Sequence, residues 1–131
     1  MNDRRLELLS LNFRLAVCKL GPNERIPHWA LEGDFFSVTR TRDELSIVCS
    51  ESAVPEGVRA ERDWSALRVV GSMEFTVVGV LASLTAPVAA AKIGVFAIST
   101  FDTDYLLVKE KDLHQAVLAL RSSGHVVYDP E

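Results

Sequence analysis

The residues of this sequence that could carry out catalysis are few and scattered. The three histidines, His28, His114 and His125, are isolated from one another in the sequence and belong to no catalytic motif. We expect each of them at the surface or at an edge rather than in the role of a base. The sequence contains no Gly-x-Ser-x-Gly elbow, no phosphate-binding loop and no His-Glu-x-x-His motif. An enzyme is therefore the least favoured function, and no catalytic residue, metal or cofactor is expected.

The two cysteines, Cys18 and Cys49, both fall in apolar, strand-like runs and have no nearby cysteine that would complete a zinc pattern. We expect buried, reduced thiols that behave as small hydrophobic side chains. A disulfide would require an exported protein, and the charged N-terminal residues lack the apolar core of a signal peptide. The uncharged run at 75–91 is shorter than the ~20 apolar residues that a membrane-spanning helix needs. These features predict a cytoplasmic protein.

Polar residues near two turns offer a different chemistry, the binding of a small charged ligand. Gly71 lies shortly before a predicted helix start at Phe75, where backbone N–H groups and the helix dipole would favour a carboxylate. Asp102, Asp104 and Glu74 could hold a cationic group. Ordinary roles also account for these acids. Aspartates in hairpin loops bond their local backbone, and a glutamate at a helix start complements the dipole.

A repeated hairpin pattern would position these residues. The stretch 35–49 reads as an apolar strand, a polar turn and a second apolar strand, and 95–108 reads the same way. Matching Phe36 with Phe96, an offset of 60 residues, also matches Glu44 with Asp104. A repeat at such a spacing predicts two copies of one structural unit. A chance similarity between two ordinary hairpins is the alternative.

Apolar patterning extends this reading to the rest of the chain. In the first half it predicts strands at 11–20, 35–40, 44–50 and 58–64, with one short helical turn at 26–31. In the second half it predicts strands at 67–70, 95–100, 105–109 and 125–128. Helices are expected at 75–92 and 112–122. Pro87 should kink or break the first of these helices.

The predicted fold is therefore α+β, built from two ferredoxin-like βαββαβ units in tandem with antiparallel sheets and helices on one face. Residues 1–63 form the first unit, with reduced helices, and residues 64–131 form the complete second unit. The chain has 131 residues and a net charge of −4. This charge gives no basic stripe for nucleic acid.

The sequence also resembles a known family. Residues 96–109 and 36–49 are similar to the signature of small tandem ACT-domain proteins, and so are the segments 64–71 and 75–82. The resemblance covers about residues 9–127. This group is related to the ACT domains of the metazoan cytosolic arginine sensor. ACT domains are βαββαβ modules that bind amino acids at domain or subunit interfaces and regulate by changing how the units associate.

The resemblance implies a ligand site and a partner. The ligand-binding positions of ACT domains correspond here to Gly71, Ser72, Met73, Glu74, Ile98, Ser99 and Thr100. The expected function is a regulatory module that senses a free amino acid or a similar small molecule, and the expected assembly is a homodimer. One rival is a structural or interaction module that has lost the ligand. Another is a small enzyme, because a ferredoxin-like fold alone excludes neither.

Overall fold

The computed structural model describes residues 5–70 and 79–130 of the chain. Its regular elements are β1 (Glu7–Leu20), β2 (Ser37–Arg40), β3 (Leu45–Ser50), β4 (Ala60–Val69), α1 (Val80–Ala90), β5 (Phe96–Ser99), β6 (Asp104–Lys109), α2 (Leu113–Ser122) and β7 (Val126–Tyr128). Short 3-10 helices occur at His28–Leu31, Glu51–Ala53 and Glu110–Asp112. This confirms an α+β protein with few helices. Within the described ranges, no helix is long and apolar enough to cross a membrane.

The chain forms two compact units. We call Phe13–Trp64 the N-unit, and the described residues of Met1–Asn12 and Ser65–Glu131 the C-unit. Strands β1 and β4 each contribute residues to both units. The N-terminal residues thus group with the C-unit, whereas sequence patterning assigned them to the first copy. The predicted domains, residues 1–63 and 64–131, stay a prediction, since contacts within one chain do not measure independent folding.

The N-unit is a sheet with strand order β2-β3-β1-β4. Strands β1 and β3 pair antiparallel, with Leu15 opposite Ser50 and Leu20 opposite Leu45. Its core is a cluster of buried apolar residues from these strands and from the segments that connect them, namely Ala16, Cys18, Ala30, Leu45, Ile47, Cys49 and Val54. The crossover after β1 contains only the 3-10 helix His28–Leu31. The sequence predicts this short helical turn, because Pro27 is favourable only at the start of a helix.

The C-unit has strand order β7-β1-β4-β6-β5 and both α-helices. Helix α1 buries Val80, Leu84 and Val88 on one face. The core of the C-unit also includes residues from the strands, from α2 and from the connections, namely Leu8, Leu67, Val69, Ile93, Leu106, Val108, Ala116, Leu120 and Val127. Strand β7 pairs with β1 in parallel, with Leu8 opposite Val127. The expectation of purely antiparallel sheets is therefore wrong at this pair.

Strand β4 corrects two further expectations. The predicted strands 58–64 and 67–70 are one strand, Ala60–Val69. Asp63 lies inside it with φ of 64°, in the left-handed region that few residue types tolerate. Its N–H donates to Glu51 Oε1 at 2.6 Å, and its carboxylate lies 3.7 Å from Arg14 Nη1. These contacts keep the strand continuous where the polar Asp-Trp-Ser sequence predicted a break.

The hairpin repeat is present, but its offset is 59 residues rather than 60. One turn is closed by Thr41 N–H donating to Glu44 O at 2.9 Å, and the other by Thr100 N–H donating to Thr103 O at 2.8 Å. Strands β3 and β6 show the same order of buried and half-buried positions. A slip of one residue moves a side chain to the opposite face of a strand. Glu44 therefore corresponds to Thr103, and the predicted match of Glu44 with Asp104 is wrong.

Helix α1 continues through Pro87 without a break, so of the two expected effects, a kink or a break, the break does not occur. Proline has no N–H for the carbonyl four residues earlier, that of Ser83. His125 Nε2 lies 3.1 Å from that oxygen. His125 Nδ1 accepts the Leu6 N–H at 3.1 Å, so Nε2 carries the proton and donates to Ser83. His125 is buried, contrary to expectation, whereas His28 and His114 are exposed as predicted.

Candidate functional site

The turn between β5 and β6 is the best-defined polar feature among the predicted site residues. Thr100 Oγ1 accepts the Thr103 N–H at 3.2 Å and lies 3.1 Å from the Thr103 carbonyl oxygen, to which it donates. These bonds add to the backbone bond that closes the turn. The Thr100 side chain therefore helps to define the turn, which is the ordinary role that turn chemistry assigns to such a residue.

Thr103 joins this turn to the end of β4. Its side chain is buried, and its Oγ1 donates to Val69 O at 2.8 Å. Val70 is held in turn by its N–H, which donates to Glu7 O at 2.8 Å. The turn is thus anchored where the chain leaves β4 toward Gly71. Sequence reasoning missed Thr103. Matching the two hairpins at the offset of 59 would have pointed to it, because Thr103 then corresponds to Glu44, the residue whose carbonyl closes the other turn.

Asp104 is a buried carboxylate at the start of β6, with 8% of its surface exposed. It lies directly opposite Ser99 across the hairpin, and Ser99 Oγ donates to its Oδ1. A buried carboxylate must be compensated by hydrogen bonds or charge. Asp104 is therefore more than an exposed turn residue, because the hydrogen bond from Ser99 holds its side chain in a defined position beside the turn.

The other predicted site residues are more exposed or lie outside the described ranges. Asp102 and Thr100 are exposed in the turn, and Ile98 is half-buried on β5. Gly71, Ser72, Met73 and Glu74 lie outside the described residues. The structure thus brings together the part of the predicted site on β5, β6 and their turn. This edge can present carboxylates and hydroxyls to a cationic or polar group.

The two cysteines of the N-unit are the reactive side chains that lie outside this edge in sequence. Cys18 and Cys49 are free and buried, as expected. The hydrogen bond with Cys18, together with burial, raises the pKa of the Cys49 thiol well above its ordinary value. A thiol of this kind is inert rather than nucleophilic. Among the described residues, no three His, Cys, Asp or Glu side chains are grouped as metal ligands would be.

Comparison with known proteins agrees with this fold. A family model described as an ACT domain matches residues 59–122, and a second model, of an N-terminal domain, matches residues 14–57. The human protein CASTOR3P is 33% identical over 107 residues, which cover 72% of this chain and 66% of that protein. The fold and these matches define a small ACT-domain protein, and the chain belongs to the ACT-domain family.

Two solved structures place the chain more closely. Protein Atu0741 from Agrobacterium tumefaciens is 38% identical, with a TM-score of 0.93 over 98% of this chain and 96% of that one. The regulatory subunit of aspartate kinase from Thermus thermophilus, in its ligand-free form, is 13% identical. Its TM-score is 0.63 over 89% of this chain and 97% of that one. At that identity the similarity shows the shared fold alone. The match to CASTOR3P spans slightly less than two thirds of the human protein.

Proposed function

We propose that this chain is a cytoplasmic regulatory module that binds a free amino acid or a similar small molecule. The proposed site is the edge of the C-unit where β4 ends beside the β5–β6 turn. Its proposed residues are Gly71, Ser72, Met73, Glu74, Ile98, Ser99, Thr100, Asp102 and Asp104. We further propose that the chain is two ACT-type units in tandem, the first with reduced helices. The shared offset of 59 between the turns and between the burial patterns of β3 and β6 supports this duplication.

The single observation that carries the proposal is the bond from Thr103 Oγ1 to Val69 O at 2.8 Å. This bond joins the β5–β6 turn to the last residue of β4. It supports a site that combines Asp102 and Asp104, the sequence neighbours of Thr103, with the segment that follows β4. A zwitterionic ligand needs backbone N–H groups for its carboxylate and acceptors for its ammonium group. The hairpin contributes acceptors, and the segment beginning at Gly71 would contribute the donors.

A thermal-shift screen with each of the twenty amino acids at millimolar concentration tests this function. A ligand present at 100 times its Kd stabilises the folded state by about 2.7 kcal/mol, which gives a readily measured rise in Tm. The absence of a shift with all twenty amino acids would count against an amino-acid sensor. It would leave the interaction module as the better description of the chain.

Substitutions then assign the ligand to the proposed edge. If the ligand carries a cationic side chain, Asp104→Asn should weaken its binding about tenfold or more, because a hydrogen bond to a charged group contributes about 1.5–3 kcal/mol. Asp102→Asn should weaken it less, since Asp102 is exposed to solvent. Asp43→Asn is the matched control, because Asp43 has the place of Asp102 in the N-unit turn. Equal effects of Asp43→Asn and Asp104→Asn would refute the assignment.

An interaction module without a ligand is the second candidate, and one observation favours it. Phe101 is 79% exposed at the tip of the β5–β6 turn, and exposed aromatic residues are frequent in protein interfaces. We propose a homodimer in either case, as is common among ACT-domain proteins. Light scattering at several protein concentrations would detect the dimer, and a constant monomer mass would refute it.

A further inference from the structure

The loop at 21–24 of the N-unit is closed by its own glutamate. Glu24 Oε2 accepts the Gly21 N–H at 2.7 Å, and the Glu24 N–H donates to Gly21 O at 3.2 Å. A Cβ at position 21 would lie 3.0 Å from that carboxylate oxygen. Glycine at this position therefore lets the carboxylate approach the backbone closely. A carboxylate bound by a loop N–H is the same contact that an amino-acid ligand would make.

An arginine takes the acceptors of the same loop. Arg40 is the last residue of β2, and its guanidinium donates to Pro22 O and, at 2.8 Å, to Glu24 O. Two carbonyl oxygens thus bind a cation from the protein itself. With Glu24 on the N–H side and Arg40 on the carbonyl side, the loop holds one carboxylate and one cationic group. These are the two groups that a zwitterionic amino acid presents.

The C-unit differs at the equivalent positions. At the offset of 59, Arg40 corresponds to Ser99 and Leu45 corresponds to Asp104. Arg40 lies directly opposite Leu45 across the N-unit hairpin, and Ser99 lies directly opposite Asp104 across the C-unit hairpin. The cation of the N-unit is thus replaced by a hydroxyl, and the apolar partner by a carboxylate. In sequence, both units follow a central strand with Gly-x-x-Glu, at 21–24 and at 71–74.

We propose that Glu24 and Arg40 occupy the N-unit loop in place of a ligand, and that Arg40 limits each chain to one amino-acid site. The inference rests on the proposed function of the C-unit edge, because it assigns to the N-unit loop a closed version of the same site. In this proposal the Glu24 carboxylate takes the place of the ligand carboxylate, and the Arg40 guanidinium takes the place of the ligand ammonium group. The side chains that fill the loop satisfy the same donors and acceptors that a bound amino acid would satisfy.

Hydrogen exchange measures the closed loop without any ligand. In the wild-type protein the Gly21 amide should be protected, and Glu24→Ala should speed its exchange about tenfold, which corresponds to about 1.4 kcal/mol. Arg42→Ser is the matched control, because it removes an exposed arginine of the same hairpin. Unchanged exchange of Gly21 in Glu24→Ala would overturn the closure.

Ligand stoichiometry tests the second half of the proposal. An open variant, Glu24→Ala with Arg40→Ser, is compared with the wild type in native mass spectrometry and NMR titration against the twenty amino acids. The wild type should bind one molecule per chain, with shifts confined to residues 71–74 and 96–107. The open variant should bind two, with new shifts at 21–24 and 37–48. Because both substituted side chains are exposed, the variant should fold, and Arg40→Lys provides a milder second variant.

The outcomes separate this inference from the proposed function. If the wild type binds no amino acid, the proposed function fails. An open variant that then binds one molecule at 37–48 still supports the closed loop. Two molecules per wild-type chain, or an open variant without new shifts at 37–48, would overturn the inference, whether or not the C-unit binds.

Discussion

His125 should stabilise the C-unit by replacing the hydrogen bond that Pro87 cannot make. The imidazole is 5% exposed and bonds both the Leu6 N–H and Ser83 O. In His125→Ala, the half-buried Leu6 N–H and Ser83 carbonyl both lose their hydrogen bond to the buried imidazole. Each such group costs about 1–3 kcal/mol, so we expect a loss of about 3 kcal/mol in the free energy of unfolding. For a chain of this length the Tm should fall by about 12 °C.

The dependence on Pro87 makes this prediction specific. In Pro87→Ala, the new N–H can bond Ser83 O within the helix, so His125→Ala should then cost only about half as much. A double-mutant cycle from urea denaturation should therefore give a coupling energy of about 1.5 kcal/mol between the two positions. Additive effects, within about 0.5 kcal/mol, would refute the link between His125 and the proline. His114→Ala is the control, and this exposed site should change stability by less than about 0.5 kcal/mol.

Two further predictions concern the N-unit. Asp63→Gly should preserve or slightly raise stability, whereas Asp63→Val should lower it by about 1–2 kcal/mol, because φ of 64° suits glycine and strains a β-branched residue. Urea denaturation measures both, and equal stability of the two variants would contradict the strain. The thiols of Cys18 and Cys49 should react with a thiol reagent at pH 8 only as fast as the protein unfolds. Burial blocks access, and the raised pKa of Cys49 keeps that thiol protonated as the pH increases through 8. Rapid labelling of native protein would show that the pair is accessible.

Much of the fold could be predicted from local patterns. Alternating apolar residues predicted the hairpins, and Pro27, which suits only a helix start, is consistent with the single short helical turn predicted at 26–31. The N-terminal strand was predicted too short, since it begins at Glu7 rather than at residue 11. That extension depends on pairing with β7 and β4, which are distant in sequence, so residues 7–10 carry little local signal for it.

The candidate site was less accessible to prediction. Asp102 and Asp104 look alike in the sequence, yet one is exposed and the other is buried beside Ser99. Neither the role of Thr103 in anchoring the turn nor the burial of His125 has a local signal. Both depend on backbone atoms 34 and 42 residues away in the chain, in Val69 and Ser83 respectively.

The sequence by itself determined the class of fold, the family and the presence of two similar hairpins, because these follow from apolar periodicity, turn residues and long motifs. Only the tertiary structure decided the offset of 59. Similar residue types do not show on which face of a strand a side chain lies, whereas the hydrogen-bond register does. Tertiary structure likewise decided that the N-unit loop at 21–24 binds the guanidinium of Arg40 through its carbonyl oxygens. That contact joins residues on different elements, and charge complementarity across a fold is visible only once the backbone brings the groups together.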